Sequence, residues 1–180
     1  MTLHFTKEQR AILINQLEIK QLLDESRKDL YEKYIEILDR GYSRYYSDIF
    51  GELDEELDDT VHKRVVGVLT MYETLYNDRL HLPEEEKKQI DEKDVLFKGF
   101  DGNNESSHHS YVNFLVRKME MFSTIGELIE TGKIKSTNSH RSMVGYYDEL
   151  LQRYRSVTEK NNKSFKDRLT LEQFKEVLGK

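Results

Sequence analysis

Two short corners of this chain bring an aromatic ring, a glycine and an acid together: Phe50-Gly51-Glu52 and Phe97-Lys98-Gly99-Phe100-Asp101. Glycine lets backbone approach a ligand closely, and aromatic rings supply an apolar wall. Phe50, Glu52, Phe97, Gly99, Phe100 and Asp101 are therefore the candidate ligand-binding set. The competing reading of the second corner is structural, with two rings buried and Asp101 capping the chain that follows. Six carboxylates fall within residues 52–59. Glu52/Glu56, Asp54/Asp58 and Glu55/Asp59 are spaced to share helix faces, and could hold a divalent cation if a second helix brought a His or Glu. No Glu-x-x-His supplies one, so charge at the positive end of a helix is the preferred account.

Other chemistry is weaker. The histidines are His4, His62, His81, His108, His109 and His140, and none forms a His-Glu-x-x-His pair. His108 and His109 are adjacent, which on a helix points them about 100° apart, a poor arrangement for chelating one metal. Residues 126–133 have five residues between the glycines where a phosphate loop needs four, and Ile134 stands in place of the Ser/Thr. No nucleophile elbow or dinucleotide fingerprint occurs. No catalytic residue, resident metal or cofactor is assigned. A metal-dependent hydrolase using Glu52 or Asp101 is the least favoured of three function classes.

The last constellation is tyrosine: Tyr42, Tyr45, Tyr46, Tyr146, Tyr147 and Tyr154. An apolar body with a polar tip suits a core edge or a protein interface. The functional reading assigns Tyr42, Tyr45, Tyr46, Tyr146 and Tyr147 to the interface of a homo-oligomer.

These residues need helices to position them. Thr6 and Gln9 form a capping box opening a helix that carries Ile12, Leu13, Leu17, Ile19, Leu22 and Leu23. A second helix starts at Asp24 or Ser26 and stops at Gly41. A short aromatic helix leads to Gly51. Leu57, Val61, Val65, Val68, Tyr72 and Leu75 then mark one face of a long helix, capped by Asp54. Pro83 begins a short helix over 84–94, and 99–104 is a loop. A helix through Tyr111, Phe114, Leu115, Met119 and Phe122 runs to Leu128 or breaks near Gly126. Residues 131–142 form a loop before a helix carrying Met143, Tyr146, Tyr147, Leu150, Leu151 and Tyr154. The stretch near 155–168 is polar and mobile, and Thr170 with Gln173 caps a last helix ended by Gly179. No alternating strand pattern or repeat appears. The fold class is all-α, a compact multi-helix bundle forming a single domain over 1–180.

Composition sets the bounds. The chain has 180 residues, no cysteine, one proline and nineteen Tyr or Phe. Aromatic content on that scale argues against disorder, and the lack of cysteine excludes disulfides and thiolate catalysis. No signal peptide and no apolar run of about 20 residues is present, so a cytoplasmic protein without a membrane span is expected. The net charge of −6 makes nucleic acid an unlikely partner, although residues 133–168 carry +5 and the remainder −11.

The corners carry a resemblance. Phe50-Gly51-Glu52-Leu53, Gly99-Phe100-Asp101 and Arg40-Gly41-Tyr42 resemble signature segments of the YfbU-like family of uncharacterised bacterial proteins. Gln9-Arg10, Asn15-Gln16, Met71-Tyr72 with Leu75, and Tyr111-Val112 with Phe114 follow in the family's order, so the likeness runs from Phe5 to Leu178. Residues 132–168 match less well. The resemblance implies an all-helical fold and a bacterial cytoplasmic setting. Some relatives carry a helix-turn-helix domain beside this module, which implies a ligand-sensing or regulatory role. It supplies no established activity and no catalytic residues. A self-associating interaction or regulatory module is the first reading, and a small-molecule-sensing domain the second.

Overall fold

The computed structural model describes residues 3–51, 56–160 and 168–180. All named elements among them are helical, the one β-type pairing being an isolated bridge between Phe100 and Asn138. The fold is all-α. The chain divides into two compact units, Met1–Glu56 and Leu57–Lys180.

The smaller unit is a helical hairpin with a short third helix. Helix α1 (Lys7–Leu23) opens on the expected capping box, the Thr6 hydroxyl accepting from the Gln9 amide and the Gln9 side chain from the Thr6 amide. It packs on α2 (Lys28–Arg40), and α3 (Tyr46–Phe50) closes the end. Gly41 ends α2 at φ +69°, the left-handed conformation a helix stop needs. The Arg10 guanidinium of α1 donates to the Leu38 carbonyl at 2.7 Å and the Asp39 carbonyl at 3.2 Å, satisfying the last turn of α2 from across the hairpin. The core is small: Leu17, Ile37, Leu38 and Tyr46, with Phe5, Leu13, Tyr31 and Tyr34 around them.

The larger unit is organised on α4 (Asp59–Leu80), which buries Val65, Val68, Leu69, Met71, Tyr72, Leu75 and Tyr76. Asp58 caps it, accepting from the Thr60 amide at 2.7 Å; the expected cap, Asp54, lies outside the described residues. Leu57 is exposed ahead of the helix rather than on its buried face. The helix expected over 84–94 is shorter: α5 (Glu84–Lys87) and a single 3-10 turn at Glu92–Asp94. Next comes α6 (Ser106–Asn113), which widens into one π turn at Phe114–Lys118. The chain then breaks at Glu120 and Phe122, both at positive φ, before α7 (Ser123–Glu130). The break therefore precedes Gly126.

Helix α8 (Val144–Lys160) extends into the stretch expected to be polar and mobile; residues 161–167 lie outside the described residues. Helix α9 (Leu171–Leu178) has the second capping box, Thr170 with Gln173, and stops at Gly179. Helices α6, α7 and α8 pack on α4, and α9 packs on α8. Arg153 of α8 donates to the Val177 carbonyl at 2.8 Å, and the Leu169 amide donates to the Asp78 carboxylate at 2.9 Å, fixing both ends of α9. No described helix is long and apolar enough to cross a membrane.

Candidate functional site

The 97–101 corner lies at the centre of the larger unit's core. Phe97, Phe100 and Asp101 are buried. Tyr147 packs edge-on to Phe100 at 5.0 Å between ring centres and stacks on Phe97 at 6.0 Å, while Tyr72 meets Tyr147 edge-on at 5.9 Å. Gly99 sits at φ +82°, and a Cβ there would lie 2.3 Å from the Thr137 carbonyl oxygen, so glycine is required. The Tyr147 hydroxyl donates to the Gly99 carbonyl at 2.9 Å and accepts from the Lys98 amide at 3.2 Å. Burial pushes the Tyr147 phenol well above its ordinary value, so it works as a neutral donor.

Asp101 accepts from the Asn104 side chain at 2.7 Å and the Asn103 amide at 2.9 Å, bonds that hold its carboxyl below the usual range. Rings and polar atoms at this corner are thus engaged by the protein's own groups.

A carboxylate that sequence reading missed completes the corner. Glu105 is buried and reaches the start of α8. One oxygen accepts from the Ser142 hydroxyl and the Met143 amide, both at 2.7 Å, and from the Val144 amide at 2.8 Å. The other accepts from the Asp101 amide at 3.0 Å. Burial raises its pKa, but these four donors outweigh burial and hold it below the ordinary value. Glu105 is a helix cap supplied from a distant part of the chain. No local pattern announces it, because the partner lies 38 residues away.

The histidines diverge as their spacing demands. Arg64 forms a two-point pair with Asp148 (2.8 and 3.1 Å) and approaches His108 Nε2 at 3.2 Å. Since arginine only donates, that nitrogen accepts, and burial together with Arg64 pushes His108 down toward the neutral form. His109 Nε2 instead approaches the Asn113 amide nitrogen at 3.1 Å and the Thr137 hydroxyl at 3.3 Å. Among the described residues no three His, Asp or Glu side chains gather closely enough to hold a metal ion.

The tyrosines separate into two groups. Tyr46 and Tyr147 are buried in the cores of their own units, which removes them from any exposed interface. Tyr42 and Tyr45 are about half exposed. Tyr146 is partly exposed, with the Lys98 ammonium 3.2 Å from its hydroxyl and 5.0 Å from its ring centre. Phe50 packs on Phe5 at 5.3 Å and joins Leu17, Tyr31, Tyr34, Lys20 and Arg27 around a cavity of about 420 Å³ within the smaller unit. Glu52 lies outside the described residues.

Two surfaces escaped the sequence reading. Helix α1 leaves Ile12 and Ile19 at 57% exposure, Leu22 at 86% and Leu23 at 82%. At about 100° per residue, Ile12, Ile19 and Leu23 fall within ~40° of one another, on the side away from Leu13 and Leu17. The signal was present in an α1 apolar on two faces. The second surface lies beside the π turn. Val116, Met121 and Ile129 floor a groove of about 620 Å³, with Glu120, Glu127 and Glu130 around it.

This is an all-α protein whose described polar clusters hold its helices together and which exposes apolar side chains on α1 and beside the π turn, among other places. Residues 3–179 match the YfbU domain, and the chain belongs to that family. It is similar to UPF0304 protein MJECS11 of Methanocaldococcus jannaschii, 28% identical over 155 residues that cover 86% of this chain and 90% of the relative.

Proposed function

We propose that this protein is a non-enzymatic interaction module that self-associates through α1. The observation that carries this reading is the unpartnered apolar stripe of Ile12, Ile19, Leu22 and Leu23. A unit this small buries only about 60% of its unfolded surface and is marginal alone. Burying one such side chain contributes about 1.5–3 kcal/mol. The helix is suited to pairing with a second copy running the opposite way. A two-fold axis near Asn15 and Gln16 sets Ile12 against Ile19 of the other copy. The same patch then serves both copies, as a two-fold interface requires. Tyr42 and Tyr45 add exposed aromatic surface to the same unit. The bacterial cytoplasm is taken as the setting, supported by the cysteine-free sequence.

Native mass spectrometry and light scattering test this reading. The wild type should have twice the chain mass, and Ile12→Glu/Ile19→Glu should be monomeric with unchanged helix content. A monomeric wild type, or a double variant that still dimerises, rejects it.

The Phe50 cavity favours a second reading, small-molecule sensing. Its aromatic walls, with Lys20 and Arg27 outnumbering the single lining carboxylate of Asp48, suit a small aromatic anion. A panel of aromatic carboxylates should then raise the melting temperature of the wild type but not of Phe50→Ala. A panel without effect on the wild type removes this alternative.

A further inference from the structure

We infer that the groove between the π turn and α7 is a docking site for a basic amphipathic segment of a partner protein. The floor is apolar: Val116, Met121 and Ile129. Met121, just after the π turn, lines the groove and is 44% exposed, while Phe114 and Met119, 48% and 54% exposed, lie outside the lining on the adjoining surface. Three large apolar side chains within eight residues need covering, and methionine adapts its shape to varied apolar partners.

Charge selects the occupant. Glu120, Glu127 and Glu130 line the groove, and none has a side-chain hydrogen bond or ion pair among the described residues; Arg117 is the sole cation lining it. These carboxylates repel nucleic acid and acidic surfaces and attract Lys and Arg. A helix with apolar anchors three and four residues apart and basic residues beside them matches both floor and rim.

The backbone fixes the two walls of the groove relative to each other. The π turn inserts an extra residue, with Met119 N–H donating to the Phe114 carbonyl at 3.0 Å. Glu120 and Phe122 then adopt left-handed conformations at φ 52° and 58° to turn the chain into α7. The start of α7 is anchored from α4, the Thr124 amide donating to the Glu73 carboxylate at 2.9 Å. A Cβ on Gly126 would lie 3.8 Å from a Val116 methyl, ordinary packing distance, so α7 lies close against the π turn at the groove floor.

The probe is a fluorescein-labelled 14-residue Leu/Lys amphipathic helix, titrated by anisotropy, with a Leu/Glu counterpart and a shuffled Leu/Lys sequence as controls. The Leu/Lys peptide should bind the wild type at least tenfold more tightly than either control, and its binding should weaken with salt. Glu127→Lys/Glu130→Lys should lose at least tenfold in affinity while its melting curve stays that of the wild type. With methyl-labelled methionine, the Met121 signal should shift on binding while those of buried Met71 and Met143 stay put. Equal binding by the charge-reversed variant, no preference over the shuffled peptide, no binding at all, or shifts that miss Met121 each overturns the proposal. The α1 variant Ile12→Glu/Ile19→Glu should bind the peptide as the wild type does, so failure of self-association and failure of this site are distinguishable.

Discussion

The two units treat similar residues in opposite ways. In the larger unit Tyr72, Phe97, Phe100 and Tyr147 are almost wholly buried, and the carboxylates of Asp101 and Glu105 are bonded within the fold. In the smaller unit four side chains form the buried core, while four aliphatic side chains of α1 face outward. Each unit has a Gly-centred aromatic corner, but the corners differ in conformation. Gly99 is held at φ +82° against the sequence-distant Thr137 carbonyl, whereas Gly51 has a right-handed conformation at φ −64° and ψ −9° after α3, and a Cβ there would meet only a local carbonyl, that of Ser47 at 2.6 Å. Similar motifs therefore do not imply similar roles: one corner locks a finished core, and the other borders a cavity in a unit with apolar surface to spare.

The largest effect should come from breaking the locked corner. Gly99→Ala adds a methyl where 2.3 Å separates it from backbone and imposes a strained φ. Overpacking and strain together predict a loss above about 3 kcal/mol. Calorimetry should show the main transition falling well below that of the wild type. If Gly99→Ala melts as the wild type does, the corner is not a lock.

Glu105→Ala comes next, at about 3 kcal/mol, because it removes the acceptor for four donors and uncaps α8. Its pH dependence has a definite sign. Glu105 and Asp101 are both depressed in the folded state, so their contribution is present above the unfolded carboxyl range of about 4 and is lost as pH falls through the lower folded values. Acid titration of wild-type stability should fall in that window, and Glu105→Ala should flatten the fall. An unchanged acid limb would mean that other carboxylates carry it.

What was legible in the sequence follows the range of the interactions. Both capping boxes and the stops at Gly41 and Gly179 are local, and all appear where Thr6, Gln9, Thr170, Gln173 and the glycines placed them. The all-α class rests on the same local periodicity. The π turn was not legible, because one widened turn leaves the residue pattern of an ordinary helix almost unchanged. Glu105 was missed because its helix is capped through space. Tyr46 and Tyr45 are neighbours in sequence with nothing to say which turns inward, and only packing buries the first and exposes the second.

A subtler contrast lies inside the larger unit. Tyr147→Phe loses two hydrogen bonds and should cost about 1–2 kcal/mol. The Tyr72 hydroxyl is buried without a hydrogen-bond partner among the described residues; burial first, then the neighbouring Tyr147 and Tyr146 phenols, push it well above its ordinary pKa. Tyr72→Phe should therefore be neutral or stabilising, by up to about 1 kcal/mol. The denaturant midpoint of Tyr147→Phe should fall while that of Tyr72→Phe holds or rises. Equal losses would mean that the Tyr72 hydroxyl has a partner after all.

The smallest effects use the one device the two units share. Thr6→Ala and Thr170→Ala each remove the same capping box, at about 1 kcal/mol apiece. Equal free energies need not give equal melting shifts. A small cooperative unit has a small unfolding entropy, so 1 kcal/mol moves its midpoint by about 4–8 °C, whereas larger units shift less. If the units unfold independently, Thr6→Ala should lower one transition by more than Thr170→Ala lowers the other. If both variants instead displace a single shared transition by the same amount, the chain unfolds as one cooperative body, and the contrast between a finished core and an unfinished one loses its thermodynamic meaning.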